Sequence, residues 1–285
     1  MTAARRKAAE KSRPAPKPDL NRGLLSRLMP AHRAPPEGAL PLDRRTTGVF
    51  ILATLLLVAF QYFGRPEGYL AWLAGPLQPL ADEWLGTHAS VAPFAWWALA
   101  SLVLRVAIPF AVVAFVFREP IAAYGGKWRG QLAHAPTYLA LYLLALPLIL
   151  WAASLESFQL KYPFYKGAAA GGGIFWAYEG MYGVQFMGVE AFFRGFLTFA
   201  LFRRFGYNAL FIMAIPYVMV HFNKPLPEVV GALGAALVLG YLALRAGSFV
   251  PGMFLHWAVG ITMDVLAIGK SLGSTGAAIR AIFSL

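Results

Sequence analysis

Four ionisable side chains lie inside apolar segments of the C-terminal half of this chain: Glu190, Arg194, His221 and His256. An ionisable group at bilayer depth costs about 2.5–3.5 kcal/mol by insertion scales, so such a residue points to function first. Glu190 and Arg194, in the stretch GVEAFFRG at 188–195, are four apart. On a helix they share a face, with the acid N-terminal to the base, the favoured order for an ion pair. A self-neutralising structural pair would account for those two alone. It does not account for two histidines on separate segments. Counted at 1.5 Å per residue from ends near Arg203, Tyr207 and Gly247, Glu190 lies roughly 20 Å deep, His221 roughly 21 Å and His256 roughly 14 Å. The three can therefore meet near the middle of a bilayer. A carboxylate and two imidazoles can hold a divalent metal such as zinc and acidify its bound water. They can also activate water without a metal, by general acid–base catalysis.

Other catalytic chemistries find no support. There is no HExxH and no GxSxG, and GAAAGGG at 167–173 lacks the Lys and Ser/Thr of a phosphate-binding loop. Cysteine is absent, which excludes a thiol nucleophile, a thiolate metal site and disulfides. Two further acids are secondary candidates. Glu228 follows His221 across the Pro-broken stretch HFNKPLPE and can fold back toward it. Asp264, eight residues after His256, can reach the site if its helix bends. Glu179 lies eleven residues before Glu190, about 16 Å along the axis, too far to share its place.

The elements that must position these residues are membrane spans. Of 285 residues, 59% are hydrophobic and 13% charged, and the mean hydropathy is +0.58. A soluble domain carries about 25% charged residues. The expected fold is all-α, a polytopic transmembrane helical bundle. Its seven spans are placed at roughly 46–64, 92–117, 136–155, 173–202, 207–222, 227–245 and 248–268. The Trp-rich, Pro-broken segment 68–86 reads as an interfacial helix or outer loop, with Trp72 and Trp84 at headgroup level. The 167–173 stretch reads as a flexible loop.

Residues 1–45 hold eleven Lys and Arg among many Pro and Ala, and read as a disordered basic arm. The helical domain then covers 46–285, with the polar core at about 173–268. With the arm inside, inner segments hold 17 basic residues and outer ones 6, which makes the N-terminus cytoplasmic. Such an arm suits anionic lipid headgroups beside a first span, rather than nucleic acid.

At these residues the sequence resembles the CPBP family of intramembrane proteases, the CaaX-processing and bacteriocin-processing or Abi proteins. That family is recognised by EExxxR, FxxxH and HxxxN or HxxxD in order. Here the corresponding stretches are VEAFFR at 189–194, YVMVH at 217–221 and HWAVG at 256–260. The resemblance implies an endopeptidase, metal-dependent or glutamic, that cuts a membrane-associated protein or peptide in the membrane, here a bacterial cytoplasmic one. It implies that Glu190 matches the second Glu, Arg194 the Arg, and His221 and His256 the histidines. Two positions depart from the pattern. Val189 stands where the family has its water-activating acid, and Gly260 where it has Asn or Asp. Either Glu190 takes over the base role, through a rotation or a π-bulge in its helix, or other groups do, or the chain is an inactive relative that binds a peptide or partner. A transporter is disfavoured, because no inverted repeat is visible.

Overall fold

The computed structural model describes residues 40–283. The basic arm expected over 1–45 lies outside the described residues except for its end. Arg44 and Arg45 there are already helical, because the Asp43 carboxylate caps the first helix by accepting from the Thr46 backbone N–H at 2.8 Å.

Eleven helices follow. They are α1 (Arg44–Gly64), α2 (Pro66–Trp72), α3 (Ala74–Leu85), α4 (92–116), α5 (Ala135–Ala153) and α6 (Glu156–Lys161). Then come α7 (Gly172–Phe205), α8 (Asn208–Met219), α9 (Leu226–Ala246), α10 (Val250–Ser271) and α11 (Thr275–Phe283). Among the described residues six helical stretches are long and apolar enough to cross a membrane. The protein is a helical integral membrane protein. α2 and α3 occupy the 68–86 region, and Trp72 and Trp84 are exposed.

Two expectations change. The span placed at 207–222 is a helix of only 12 residues, about 18 Å long against a hydrocarbon core of about 30 Å. Hydropathy runs on through Phe222, but the helix stops at Met219 and the chain turns through 220–224 before Pro225. The turn's amides are satisfied locally, His221 N–H donating to Val218 O at 2.9 Å and Lys224 N–H to His221 O at 2.9 Å. The 167–173 stretch is also not an open loop. Lys166–Ala170 is a 3₁₀ turn whose Ala168 is fully buried, and Gly172 already opens α7. Gly171, at φ 74°, packs against the backbone of Ala281, where a Cβ would collide.

α7 is the axis of the bundle, with 83% of its apolar window buried, against 6% for α5. Its core-facing residues, Phe192, Phe193, Phe196 and Leu201 among them, join Val49 of α1, Val113 of α4, Met213 of α8 and Ala236 of α9 in one apolar cluster. Arg105 fastens α4 to α7 by donating to Gln185 Oε1 at 3.0 Å, and its guanidinium lies 3.4 Å over the Phe60 ring of α1.

Segments that the charge bias assigns to one side of the membrane meet at one end. Glu119 accepts from Arg45 Nη2 at 2.6 Å, from Tyr124 Oη at 2.6 Å and from Arg203 Nη1 at 2.5 Å. Arg45 also contacts the Tyr124 hydroxyl. At the same end Ser248 Oγ donates to Lys127 O at 2.7 Å. At the other end Tyr162 donates to Glu228 Oε2 at 2.6 Å, and Lys224 pairs with Glu228.

Hydrogen bonds from Arg45, then from Tyr124 and Arg203, pull the Glu119 carboxyl from its ordinary 4.5 down to about 2. A carboxylate depressed in the folded state stabilises above its unfolded value and loses that contribution as pH falls through the folded one. The clasp is therefore expected to weaken between about pH 4.5 and 2. A Tm-against-pH series should show this component in the wild type and not in Glu119→Gln.

Candidate active site

Glu190 ends the α-helical part of α7, and residues Ala191–Leu197 continue it as a π-helical stretch. The wide turn falls directly after the acid, at the place where the Val189 departure would require a re-aimed residue. Val189 itself is buried in the apolar cluster shared with α1 and α4. Glu190 and Arg194 are both fully buried. Arg194 Nη1 lies 3.1 Å from Glu190 Oε1, although no guanidinium N–H is aligned for a hydrogen bond. The contact is thus an ion pair by distance, and charge, rather than a directed bond, carries it. The other support of Arg194 is Tyr217 of α8, whose ring centroid is 3.8 Å from the guanidinium carbon.

α10 brings the second wall. Pro251 in its first turn sets the helix start, and His256 places Nδ1 2.9 Å from Glu190 Oε1. A carboxylate accepts, so Nδ1 carries the hydrogen and Nε2 is left with its lone pair when the ring is neutral. His256 stacks on Phe186 with ring centroids 4.3 Å apart. Its side chain keeps 19% of its surface accessible, whereas Glu190 keeps none. The imidazole is therefore the reachable member of the pair.

His221 stands in the turn after α8, where its Nδ1–H donates to Tyr217 O at 2.7 Å. This again leaves Nε2 as the free nitrogen. Its ring centroid is 4.6 Å from that of Tyr217, whose ring also meets Arg194. The structure thus joins Glu190, Arg194, His256 and, through Tyr217, His221 in one buried polar group.

The secondary candidates are elsewhere. Glu228 lies at the same end as His221 but makes no hydrogen bond to it, its carboxylate being engaged by Tyr162 and Lys224. Asp264 is fully buried beside Glu179 and Tyr178, an outer pairing between α10 and α7. A straight α10 puts it two turns beyond His256, so it does not replace the missing third-motif acid.

Gly260 shows why nothing replaces it. A Cβ there would sit 2.6 Å from Phe186 Cε2 and 3.3 Å from Tyr182 Cε1. Tyr178, Tyr182 and Phe186 recur every four residues along α7 and stack, with centroids 5.7 and 4.3 Å apart, down onto His256. The aromatic column fills the volume that a longer residue at 260 would need.

Zinc was a possible partner of Glu190, His221 and His256. Among the described residues no three His, Cys, Asp or Glu side chains form a group able to hold a metal ion. Glu190 Oε1 is moreover shared between Arg194 and His256. The donor set does not fit a metal as it stands.

One neighbour was missed in the sequence. Tyr138 of α5 is buried and borders Gly252 on the Glu190 side. The signal available was the spacing of Tyr138 and Tyr142, one helical turn apart in an otherwise aliphatic run.

No curated protein and no solved structure matches the chain. Residues 171–262, the segment carrying Glu190, Arg194, His221 and His256, match the family model of the Rce1-like proteins, type II CAAX prenyl endopeptidases, consistent with the CPBP resemblance of the three motifs.

Proposed function

We propose that this protein is an intramembrane endopeptidase of the CAAX-processing type. In this reading it hydrolyses a peptide bond near the C-terminus of a membrane-associated protein. The observation that carries the reading is the Glu190–His256 contact, 2.9 Å across two helices, in a group neutralised by Arg194. A histidine oriented by a buried carboxylate is a general base whose free nitrogen can take a proton from water. Glu190 holds the ring and stabilises the imidazolium that forms, and Arg194 balances the carboxylate. His221 stands next to this group through its ring contact with Tyr217. Because Val189 cannot accept a proton, the base role falls to His256, with Glu190 behind it. No step in this scheme passes through a metal.

The family match, whose model is named for prenyl endopeptidases, supports a prenylated substrate. An apolar groove of about 430 Å³ between α5, α8 and α9, lined by Leu141, Phe211, Leu237 and Tyr241, is of a kind that suits a lipid-modified chain. We place the protein in a bacterial cytoplasmic membrane, with the basic arm against anionic lipid and nucleic acid no partner.

The test is cleavage of a prenylated peptide by the protein in lipid vesicles, read by mass spectrometry. His256→Ala is expected to lower kcat by about 10²–10⁴-fold, and a chelator to leave it unchanged. Equal product from the wild type and His256→Ala would overturn the reading. A second reading, an inactive relative that binds peptide, is favoured by the filled space at Gly260. Peptide binding without product would establish that one instead.

A further inference from the structure

An endopeptidase must stabilise the negative oxygen that forms when water adds to a peptide carbonyl, and that oxygen needs hydrogen-bond donors. The HxxxN or HxxxD position would offer a side chain here, but Gly260 offers none and is closed by Phe186. We propose that the Tyr138 hydroxyl is the donor the site presents to the scissile carbonyl. This inference rests on the hydrolytic reading of Glu190 and His256.

The geometry centres on Gly252, one turn before His256 on the same face of α10. A Cβ at Gly252 would stand 3.0 Å from Glu190 Oε2 and 4.0 Å from Tyr138 Cε1. Carboxylate oxygen, phenol ring and glycine are therefore close neighbours, an approach that a side chain at 252 would push apart. Glu190 Oε2 is fully buried and has no hydrogen-bond partner. The Tyr138 side chain is 7% exposed, lies within electrostatic reach of both Glu190 and Arg194, and its hydroxyl makes no hydrogen bond among the described residues. The Tyr138 oxygen is not among the enclosed polar atoms, so its O–H is open to a bound group. The other tyrosine of that face, Tyr142, instead shares its hydroxyl with Thr262 Oγ1 at 2.7 Å.

The step balances as follows. Water gives a proton to His256 Nε2 while its oxygen bonds to the carbonyl carbon. The carbonyl π pair moves to oxygen, which accepts the Tyr138 O–H hydrogen bond. On collapse the C–N bond breaks, and the amine nitrogen takes the proton from His256. Tyr138 keeps its own proton throughout.

The test uses the vesicle assay with the same prenylated peptide. Tyr138→Phe keeps the ring and removes only the O–H. It should lower kcat by about 10²–10³-fold with KM within about threefold, and leave Tm unchanged. Wild-type kcat in Tyr138→Phe, with His256→Ala inactive, would overturn the inference and leave the hydrolytic reading standing. If the wild type cleaves nothing, the hydrolytic reading fails by itself. The inference then falls with it, and a benzoylphenylalanine at position 138 that cross-links no bound peptide overturns it independently.

Discussion

Glu190→Gln is expected to do two kinds of damage that a companion variant can separate. Arg194 is fully buried, and Glu190 is its carboxylate partner at 3.1 Å. Removing that charge leaves a guanidinium uncompensated in the bundle, which costs about 3–5 kcal/mol. The same change removes the carboxylate that orients His256, which is worth about 10³–10⁴-fold in kcat. A double variant, Glu190→Leu with Arg194→Met, deletes the pair as a unit. Exchanging a buried ion pair for well-packed apolar side chains is often neutral or stabilising. The double variant should therefore recover most of the lost Tm and none of the activity. Recovery of both would mean that the pair serves only the fold. An unchanged Tm in the single variant would mean that Arg194 does not depend on Glu190.

Gly260→Asn, which restores the CPBP residue, is expected to damage the protein rather than improve it. The added Cβ lands 2.6 Å from Phe186 Cε2, so either the ring or α10 must move. Overpacking of this kind costs about 1–3 kcal/mol. Because Phe186 is also the stacking partner of His256 at 4.3 Å, its displacement disturbs the base, and kcat should fall with stability. Phe186→Leu in the same chain makes room. The double variant should then be more stable than the sum of the single changes predicts, by about 0.5–3 kcal/mol. Thermal denaturation of the four proteins in the cycle measures this. Strict additivity would show that residues 186 and 260 do not compete for one space.

Much of the site was legible because charge is rare in apolar sequence. Glu190, Arg194, His221 and His256 announce themselves by residue type, and helical rise alone lets them meet. Arg45 and Arg203, which the charge count puts on one side, do meet, at Glu119. What failed was anything set by a neighbour distant in sequence. Glu228 was drawn toward His221 because it is close along the chain, yet Tyr162, 66 residues away, holds it. Asp264 finds Glu179 only once α7 and α10 lie side by side. The short α8 was hidden because hydropathy sums side chains and cannot see where backbone bonding stops. The π-helical turn after Glu190 was named only as one way to rescue a bad match. Its residues, AFFRGFL, are as apolar as those of any α-helix, so local composition does not distinguish the two windings. Tyr138 was passed over as one aromatic among many.

The helix that carries Tyr138 is also the one least held by protein, with 6% of its apolar window buried. Most of its surface is held by whatever lipid surrounds it. Bilayer thickness and lateral pressure act on such a helix more strongly than on α7, where the protein itself fixes the position. How often the phenol rests against Gly252 becomes a property of the membrane as well as of the chain. Under the proposed hydrolysis, membranes of different acyl chains would then set different rates for one and the same chain.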